Sequence, residues 1–238
     1  MCIRDSSGAD CERVRIAVVN LIRTPDGVTD AQAASLPIAY GTAYRMLHSR
    51  GNVQPGEKVL VLGATGGVGV ACVQLGARLG AEVVAVGSAA WKLEKLAALG
   101  AAHTIDSSKE EVVAAVHERF GKPRMGAKGG VDVVVNYIGG ETWRESLRCL
   151  SPQGRMITCG ASADYEPQTD IRYIWTYEHT IIGSNGGMPA DQIALLELVA
   201  SGDLDPVIHA VRPLEETGAS IRELAERKVV GKTIIEPR

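Results

Sequence analysis

One segment reads Lys58-Val-Leu-Val-Leu-Gly63-Ala-Thr-Gly66-Gly67-Val-Gly69, an apolar run that ends in a cluster of glycines. Such a run predicts a strand and a tight turn, and the apolar residues that follow predict a helix. The first N–H groups of a helix have no acceptor within it and point at an anion, with the helix dipole behind them. The spacing departs from G-x-G-x-x-G but fits both G-x-x-G-x-x-G and G-x-x-x-G-x-G. A phosphate-binding turn is therefore predicted, with a purely structural turn as the alternative; its residues are Gly63, Gly66, Gly67, Val68 and Gly69.

Strands and helices are predicted to alternate from this segment to about residue 200. The strands are continuous apolar runs, which indicates a parallel sheet covered on both faces. Right-handed crossovers favour the doubly wound (Rossmann) α/β arrangement. Strands are predicted at residues 59–62, 82–86, 103–105, 131–138, 155–159 and 180–182. Helices are predicted at 70–79, 91–99, 142–150 and 189–200, and a further helix that Ser107 or Ser108 would cap ends at residue 120.

The beginning of the chain follows a different pattern. Residues 1–6 lack the apolar core of a signal peptide and fit no element, so we expect an assembly scar there. Residues 13–22 alternate loosely and predict a strand. An Ala-rich helix is predicted over residues 30–48, with an interruption at Pro37.

The pattern changes again after Pro206. A strand at 207–211, a weak helix over 215–228 and a strand at 232–236 do not continue the earlier alternation. The predicted divisions of the chain are therefore residues 1–29, 30–205 and 206–238.

The composition is that of a soluble globular protein. The 238 residues are 45% hydrophobic and 22% charged, which excludes wholesale disorder. A net charge of −3 provides no basic excess for a nucleic acid backbone, so no nucleic acid partner is expected. The longest uncharged stretch, residues 59–77, contains five glycines and turn chemistry, and no membrane span is predicted.

The cysteines and histidines predict no metal site. Five cysteines are scattered along the chain, and neither C-x-x-C nor H-E-x-x-H occurs. Free, buried thiols in a reducing cytoplasm are therefore expected, without a disulfide framework. His179, like the other histidines, is most simply a surface or helix-end residue.

A glycine turn that follows a strand and opens a helix is also the context of a dinucleotide fingerprint. The choice between the nicotinamide cofactors NAD(H) and NADP(H) is then expected to depend on the end of the second strand. An acidic residue about 20 residues after the glycine turn would bind the ribose hydroxyls of NAD. Here the strand ends at Gly87-Ser88, and no Asp or Glu follows before Glu94. Nothing then repels a 2′-phosphate, to which Ser88 could donate a hydrogen bond and Lys92 a positive charge. NADP(H) is therefore predicted over NAD(H), with a solvated helix position as the alternative for Lys92.

These motifs resemble the medium-chain dehydrogenase/reductase superfamily, in its quinone-reductase-like and zinc-binding-dehydrogenase branches. The matching stretches include Pro25-Asp-Gly-Val, Ala33-Ala-Ser-Leu-Pro37, Thr42-Ala-Tyr44, Gly139-Gly-Glu-Thr-Trp143 and Gly231-Lys-Thr-Ile-Ile. The resemblance implies a two-domain enzyme whose GroES-like catalytic domain is missing here, apart from remnants at residues 1–29 and 206–238. Residues 30–205 would be the NAD(P)-binding domain. Zinc could be present only in a full-length parent, because the missing part carries the ligands in zinc-dependent members, and the residues here leave open whether that parent is zinc-dependent.

The resemblance also implies which residues meet the cofactor. The glycine turn would contact the pyrophosphate, and Ser88 and Lys92 would contact the 2′-phosphate. The nicotinamide and its ribose would be lined by Thr42, Ile138, Gly160, Ala161, Ser162 and Ser184. A plain tight turn at the sheet edge is the alternative for each strand end, and Asn136 and Tyr137 replace small residues of the family. A homodimer or homotetramer would form through the edge strand at 180–182.

Three functions remain open at this point. The first is an NADPH-dependent oxidoreductase that transfers a hydride between nicotinamide and a carbonyl, quinone or activated C=C bond of a small molecule. Its catalytic residues are not assigned. The second is a 2-enoyl-CoA reductase, because Asp170-Ile-Arg172-Tyr-Ile-Trp175 resembles the enoyl-thioester reductases. An aromatic-rich loop at a dimer interface would explain the same segment. The third is a catalytically incompetent NADPH-binding module.

Overall fold

A parallel sheet forms the centre of the protein. The computed structural model describes residues 11–237, and the expectation for residues 1–6 lies outside them. The sheet has six strands in the order β3-β2-β1-β4-β5-β6. They are β1 (Lys58–Val61), β2 (Glu82–Gly87), β3 (His103–Asp106), β4 (Val131–Val135), β5 (Leu150–Thr158) and β6 (Thr180–Gly183). The order reverses between β1 and β4, which is the switch point of a doubly wound sheet, and the predicted fold is confirmed.

Helices cover both faces of this sheet. The helices that precede the C-terminal part are α1 (Asp30–Ser35), α2 (Gly41–Tyr44), α3 (Gly67–Arg78), α4 (Ala90–Ala98), α5 (Val112–Phe120), α6 (Glu141–Cys149), α7 (Ile171–Tyr177) and α8 (Pro189–Ala200). In β1, Val59 and Val61 belong to the apolar cluster on one face and Leu60 to the cluster on the other. This is why the central strands are continuous apolar runs. Each fully buried side chain of this size stabilises the fold by about 1.5–3 kcal/mol.

Residues 30–50 form one helical segment that ties three parts of the chain together. Its α-helical turns are interrupted as predicted at Pro37, which lacks the N–H that an α-helical hydrogen bond needs. The interruptions are π turns at Leu36–Tyr40 and Arg45–Arg50. The Tyr40 hydroxyl donates to Gln74 Oε1 at 2.5 Å and accepts from the N–H of Val207 at 2.8 Å. The segment is therefore fixed to α3 and to the C-terminal part of the chain.

The C-terminal part forms a second, smaller sheet. Strands β7 (Ile208–Pro213) and β8 (Lys232–Glu236) pair in parallel, and helix α9 (Thr217–Ala225) connects them. Helix α1 packs against both strands. The three elements predicted after Pro206 are thus present, whereas the division of the chain into domains stays a prediction. In the described part of the chain, no helix is both long enough and apolar enough to cross a membrane.

The strand predicted at residues 13–22 is not formed. A single 3₁₀ turn covers Val18–Asn20, and the side chains of Val18 and Val19 are 81% and 86% exposed. A strand needs main-chain partners, and no strand in residues 11–237 pairs with this segment. Loose alternation alone was therefore insufficient to define a strand.

The predicted caps of α5 are also wrong. The helix begins at Val112, and the Ser107 and Ser108 side chains bond to the preceding strands instead. Ser107 Oγ donates to the carbonyl oxygen of Gly87 at 3.2 Å, and Ser108 Oγ donates to Asp106 Oδ1 at 2.6 Å. The Ser108 bond is local, the Ser107 bond reaches the neighbouring strand β2, and both compete with capping of α5.

Candidate cofactor site

The glycine turn joins β1 to α3 at the switch point of the sheet. Gly63 has a φ of +65°, in the left-handed region that favours glycine. Gly66 is extended and precedes α3, and no side chain caps that helix. Gly67, Val68 and Gly69 are the first residues of α3, so their N–H groups have no acceptor within the helix. The turn therefore presents main-chain donors and the positive end of a helix dipole, an arrangement that suits a pyrophosphate.

The space around the glycines of this turn differs from position to position. A Cβ atom at Gly69 would lie 2.5 Å from both Gly63 O and Ala64 Cα, and 2.6 Å from Tyr137 Oη. A Cβ atom at Gly66 would meet only Gly63 O, at 3.7 Å. Gly69 is thus required for close packing of α3 on the turn, whereas Gly66 borders open space that a ligand could enter.

The two residues that follow β4 fix this turn and the adjoining main chain by hydrogen bonds. Tyr137 Oη donates to Gly63 O at 2.7 Å, and burial raises the pKa of its phenol, so it remains a neutral donor. Asn136 is buried, and its Oδ1 accepts from the N–H groups of Ile138 and Gly139 at 2.9 and 3.1 Å. The two residues that depart from the small residues of the family therefore hold the main chain at the carboxyl edge of the sheet.

The loops after β4, β5 and β6 are hydrogen-bonded to one another. The N–H of Ser162 donates to the carbonyl of Tyr137 at 3.1 Å, and the N–H of Ser184 donates to that of Thr158 at 2.8 Å. The structure therefore places most of the residues predicted to line the nicotinamide on neighbouring loops at one edge. These residues are Ile138, Gly160, Ala161, Ser162 and Ser184.

Thr42 reaches the same region from α2. Its neighbour Gly41 lies against the segment that follows Ser184, because a Cβ atom at Gly187 would be 2.7 Å from Gly41 Cα. Thr42 itself is only 7% exposed. Its contact with the nicotinamide stays a prediction.

Ser88 lies where the sequence predicted, at the end of β2 beside the glycine turn. Its side chain is exposed. The preceding residue packs on the turn, since a Cβ atom at Gly87 would lie 2.9 Å from Thr65 Cγ2. Ser88 is therefore free to meet a group bound in front of β2.

Lys92 is engaged by the main chain instead of facing solvent. It is only 7% exposed, so the alternative of a solvated helix position is wrong. Its Nζ donates to the carbonyl oxygens of Arg227 and Val229, the latter at 3.0 Å. Burial lowers the pKa of this ammonium, and the charges of Arg227 and Lys95 lower it further. Contact between Lys92 and a 2′-phosphate stays a prediction.

Lys232 is a candidate site residue that was not predicted. It begins β8, and its Cδ lies 3.0 Å from the position that a Cβ atom would take on Gly67. Its N–H donates to Val207 O at 3.0 Å, and the preceding Gly231 has a φ of +83°. The lysine stem therefore runs over the first turn of α3. The sequence feature that could have predicted this position is the pair Gly231-Lys232. Because the pair lies more than 160 residues after the glycine turn, the sequence alone gave no reason to place the two together.

The described residues fit a dinucleotide but do not fit zinc. Among residues 11–237, no group of three or more His, Cys, Asp or Glu side chains could hold a metal ion. Cys72 and Cys149 are buried, and burial raises the pKa of both thiols.

His179 follows the end of α7, so the prediction of a helix-end position is confirmed, but its side chain is buried and a surface position is wrong. It is 6% exposed, its ring stacks on Tyr177 with 5.6 Å between centroids, and its ring nitrogens have no hydrogen-bond partner among the described residues. Glu178 adopts a left-handed conformation between α7 and β6, which turns the chain inward. Burial lowers the pKa of the imidazole.

We expect the free energy of unfolding to fall as the pH drops below about 6.5, the ordinary pKa of histidine. The unfolded chain then takes up a proton that burial disfavours in the folded chain, whereas above this pH both states are neutral. His179→Phe keeps a ring against Tyr177 and removes the titration. Its melting temperature should therefore fall by a few degrees less than that of the wild type between about pH 7.5 and about pH 5.5. Equal pH dependence of the two proteins in thermal denaturation would contradict this.

A doubly wound sheet with a glycine turn and an uncapped helix at its switch point defines a Rossmann-type α/β domain. A model of the zinc-binding dehydrogenase family matches residues 67–201. The chain belongs to this family, within the medium-chain dehydrogenase/reductase superfamily that its motifs resemble.

Comparisons with individual proteins agree with this assignment. The chain is 29% identical over 232 residues to an acryloyl-coenzyme A reductase from Sulfurisphaera tokodaii, covering 97% of this chain and 66% of the relative. It is similar to a solved NAD-dependent alcohol dehydrogenase (31% identity, TM-score 0.85, 96% of this chain and 65% of the other). It is also similar to the 2-octenoyl-CoA carboxylase reductase CinF, solved with NADP and 2-octenoyl-CoA (30% identity, TM-score 0.81, 90% and 51%). The chain thus spans about half to two thirds of these proteins.

Proposed function

We propose that this chain is the cofactor-binding part of an NADP(H)-dependent oxidoreductase that acts on a small molecule. The complete enzyme would transfer a hydride between nicotinamide and a carbonyl, quinone or activated C=C bond, chemistry that the nicotinamide supplies when bound. One observation carries the proposal: at the switch point the turn at residues 63–69 leads into α3 without a side-chain cap, and Gly66, just before the free N–H groups, borders open space. Membership of a dehydrogenase family supports it.

Each part of the site has a distinct task in this proposal. The N–H groups of Gly67 and Val68 bind the pyrophosphate, and Lys232 adds a positive charge beside them. Asn136 and Tyr137 hold the ends of β4 and β1 so that the nicotinamide ribose meets a fixed edge. The loops after β5 and β6 orient the nicotinamide ring and leave one face open to the substrate. No general acid is assigned among the described residues.

The preference for NADP(H) is proposed on the end of β2. Ser88 is exposed there, and no carboxylate follows before Glu94 to repel a 2′-phosphate. The solved complex of CinF contains NADP, whereas the alcohol dehydrogenase is described as NAD-dependent. The relatives therefore leave both cofactors open, and the proposal depends on this chain's own residues.

A second candidate function is a 2-enoyl-CoA reductase. It is favoured by the acryloyl-coenzyme A reductase relative and by the 2-octenoyl-CoA bound to CinF. The segment that suggested it forms the start of α7, where Asp170 accepts from the N–H of Arg172 at 3.1 Å and Trp175 is exposed. Initial rates of the full-length enzyme with crotonyl-CoA, quinones and aldehydes would separate the two candidates.

Fluorescence titration with NADPH and NADH tests the proposed function. We expect saturable binding of both by the 238-residue chain, with NADPH bound more tightly. Absence of saturable binding of either nucleotide would refute the proposal. Binding without turnover would support the remaining alternative, in which this chain alone is an inactive NADPH-binding module. Robust NADPH oxidation by this chain would refute that alternative.

We also propose a homodimer or homotetramer that forms through β6, and a cytoplasmic location. Scattered free cysteines suit a reducing compartment, which supports the cytoplasmic location.

Strand β6 is the edge of the sheet and is largely exposed, which leaves main-chain groups available for pairing. Ile181→Lys on β6 is expected to reduce the mass measured by light scattering to that of the monomer, whereas Ile193→Lys on α8 is the control. The same mass for both variants and the wild type would contradict assembly through β6.

A further inference from the structure

We infer that Lys92 is a positioning residue that holds Lys232 over the glycine turn by anchoring the chain just before β8. The inference rests on the proposed dinucleotide site, because it concerns how that site is assembled. It differs from the expected contact between Lys92 and the 2′-phosphate, because Lys92 would act on every dinucleotide alike.

The contacts of Lys92 join two distant parts of the chain. Its Nζ donates to the carbonyl oxygens of Arg227 and Val229, which follow α9. The side chain is nearly fully buried. A buried ammonium is costly unless it is hydrogen-bonded, so removal of Lys92 leaves two carbonyls that have lost a charged donor. The position of the chain at Arg227 and Val229 therefore depends on α4.

A short, constrained segment leads from these carbonyls to the site. Arg227 has a φ of 56°, and Gly231 has a φ of +83°, so the backbone between them turns sharply. Val229 and Val230 are buried on the way. Lys232 follows directly, and its stem lies over Gly67. A shift at residues 227–229 must therefore move Lys232 relative to the first turn of α3.

The two roles of Lys92 predict different patterns of nucleotide binding. A direct contact with the 2′-phosphate would change the affinity for NADPH and leave that for NADH unchanged. If Lys92 is an anchor that acts through Lys232, its loss would lower the affinities for both nucleotides by the same factor, because both carry the pyrophosphate. The anchor role also predicts that Lys92 contributes nothing to nucleotide affinity in a variant that lacks the Lys232 side chain. A general loss of stability would not produce this result.

The test compares Lys92→Met with Lys95→Met. Both ammonium groups lie 5.2 Å from the centroid of the Trp91 ring, but Lys95 is exposed. Dissociation constants for NADPH and NADH are measured by fluorescence titration in both variants, in Lys232→Met and in the double variant Lys92→Met/Lys232→Met. If Lys92→Met does not fold, Lys92→Gln, which keeps a hydrogen-bond donor, takes its place. Hydrogen exchange of the Lys232 amide is measured in each variant without nucleotide.

We expect Lys92→Met to raise the dissociation constants for NADPH and NADH equally, on the order of tenfold. In the Lys232→Met background it should cause no further loss, and Lys95→Met should resemble the wild type. The Lys232 amide donates to Val207 O. Its hydrogen exchange should be faster than in the wild type in Lys92→Met but not in Lys95→Met. Loss of NADPH affinity alone, or additive effects in the double variant, would overturn the inference. If the wild type binds neither nucleotide, the proposed function fails, and unchanged exchange at Lys232 then refutes the anchor separately.

Discussion

Gly69→Ala is expected to lower the melting temperature of the chain by several degrees. The added methyl group would lie 2.5 Å from Gly63 O and Ala64 Cα, and both of these are main-chain atoms. Helix α3 would have to move away from the turn, because the backbone cannot yield as a flexible side chain can. Overpacking of this kind costs about 1–3 kcal/mol. In a domain of this size each kcal/mol shifts the melting temperature by roughly 2–4 °C.

Gly66→Ala is the matched variant for this experiment. Gly66 has a φ of −78°, which alanine adopts readily, and its Cβ atom would contact only Gly63 O at 3.7 Å. We therefore expect an unchanged melting temperature but weaker binding of NADPH, because the methyl group enters the space in front of α3. Loss of one hydrogen bond to a charged group is worth about 1.5–3 kcal/mol, or roughly tenfold to a hundredfold in Kd. Undiminished NADPH affinity in Gly66→Ala, measured by fluorescence titration, would place the pyrophosphate elsewhere. A wild-type melting curve for Gly69→Ala would contradict the packing argument.

The sheet and the glycine turn were predictable because they depend on local signals. Short apolar runs and glycine turn chemistry are properties of adjacent residues. The rule that crossovers are right-handed then favours the doubly wound arrangement of the strands. Helix α8 begins at Pro189 and strand β8 begins at Lys232, and both have the predicted bounds. The strand at 13–22 was wrong for the opposite reason, since a strand depends on a partner that local sequence cannot supply.

The two lysines whose positions differ from the prediction depend on contacts far along the chain, whereas His179 and α7 depend on local features that the sequence pattern did not show. Lys92 is buried by carbonyls about 135 residues away, and Lys232 meets Gly67 from the second sheet. His179 is buried because of the left-handed turn at Glu178, a conformation that is uncommon outside glycine. Helix α7 is a short helix begun by the side chain of Asp170 and carries no long periodic pattern. For Lys92 and Lys232, tertiary packing outweighs local preference, so inspection of one segment could not have shown the outcome.

Ser88→Asp is expected to reverse the preference between the two nicotinamide cofactors. Ser88 is exposed at the end of β2, beside Gly87, which packs on Thr65 of the glycine turn. A carboxylate there would accept hydrogen bonds from the ribose hydroxyls of NADH and would repel a 2′-phosphate. Two unit charges about 4 Å apart repel by about 1 kcal/mol in water and about 4 kcal/mol near a protein surface.

The dissociation constant for NADPH should therefore rise by a factor of about 5 to about 1,000 in Ser88→Asp, while that for NADH falls. Ser88→Asn is the matched control, because asparagine has the shape of aspartate without its charge. The effect on NADPH should shrink as salt is added, since exposed charges are screened within about 10 Å at 0.1 M ionic strength. Fluorescence titrations of both variants at low and high salt provide the measurement. If Ser88→Asp and Ser88→Asn share one NADPH-to-NADH ratio, charge at the end of β2 does not select the cofactor, and the proposed 2′-phosphate position is wrong.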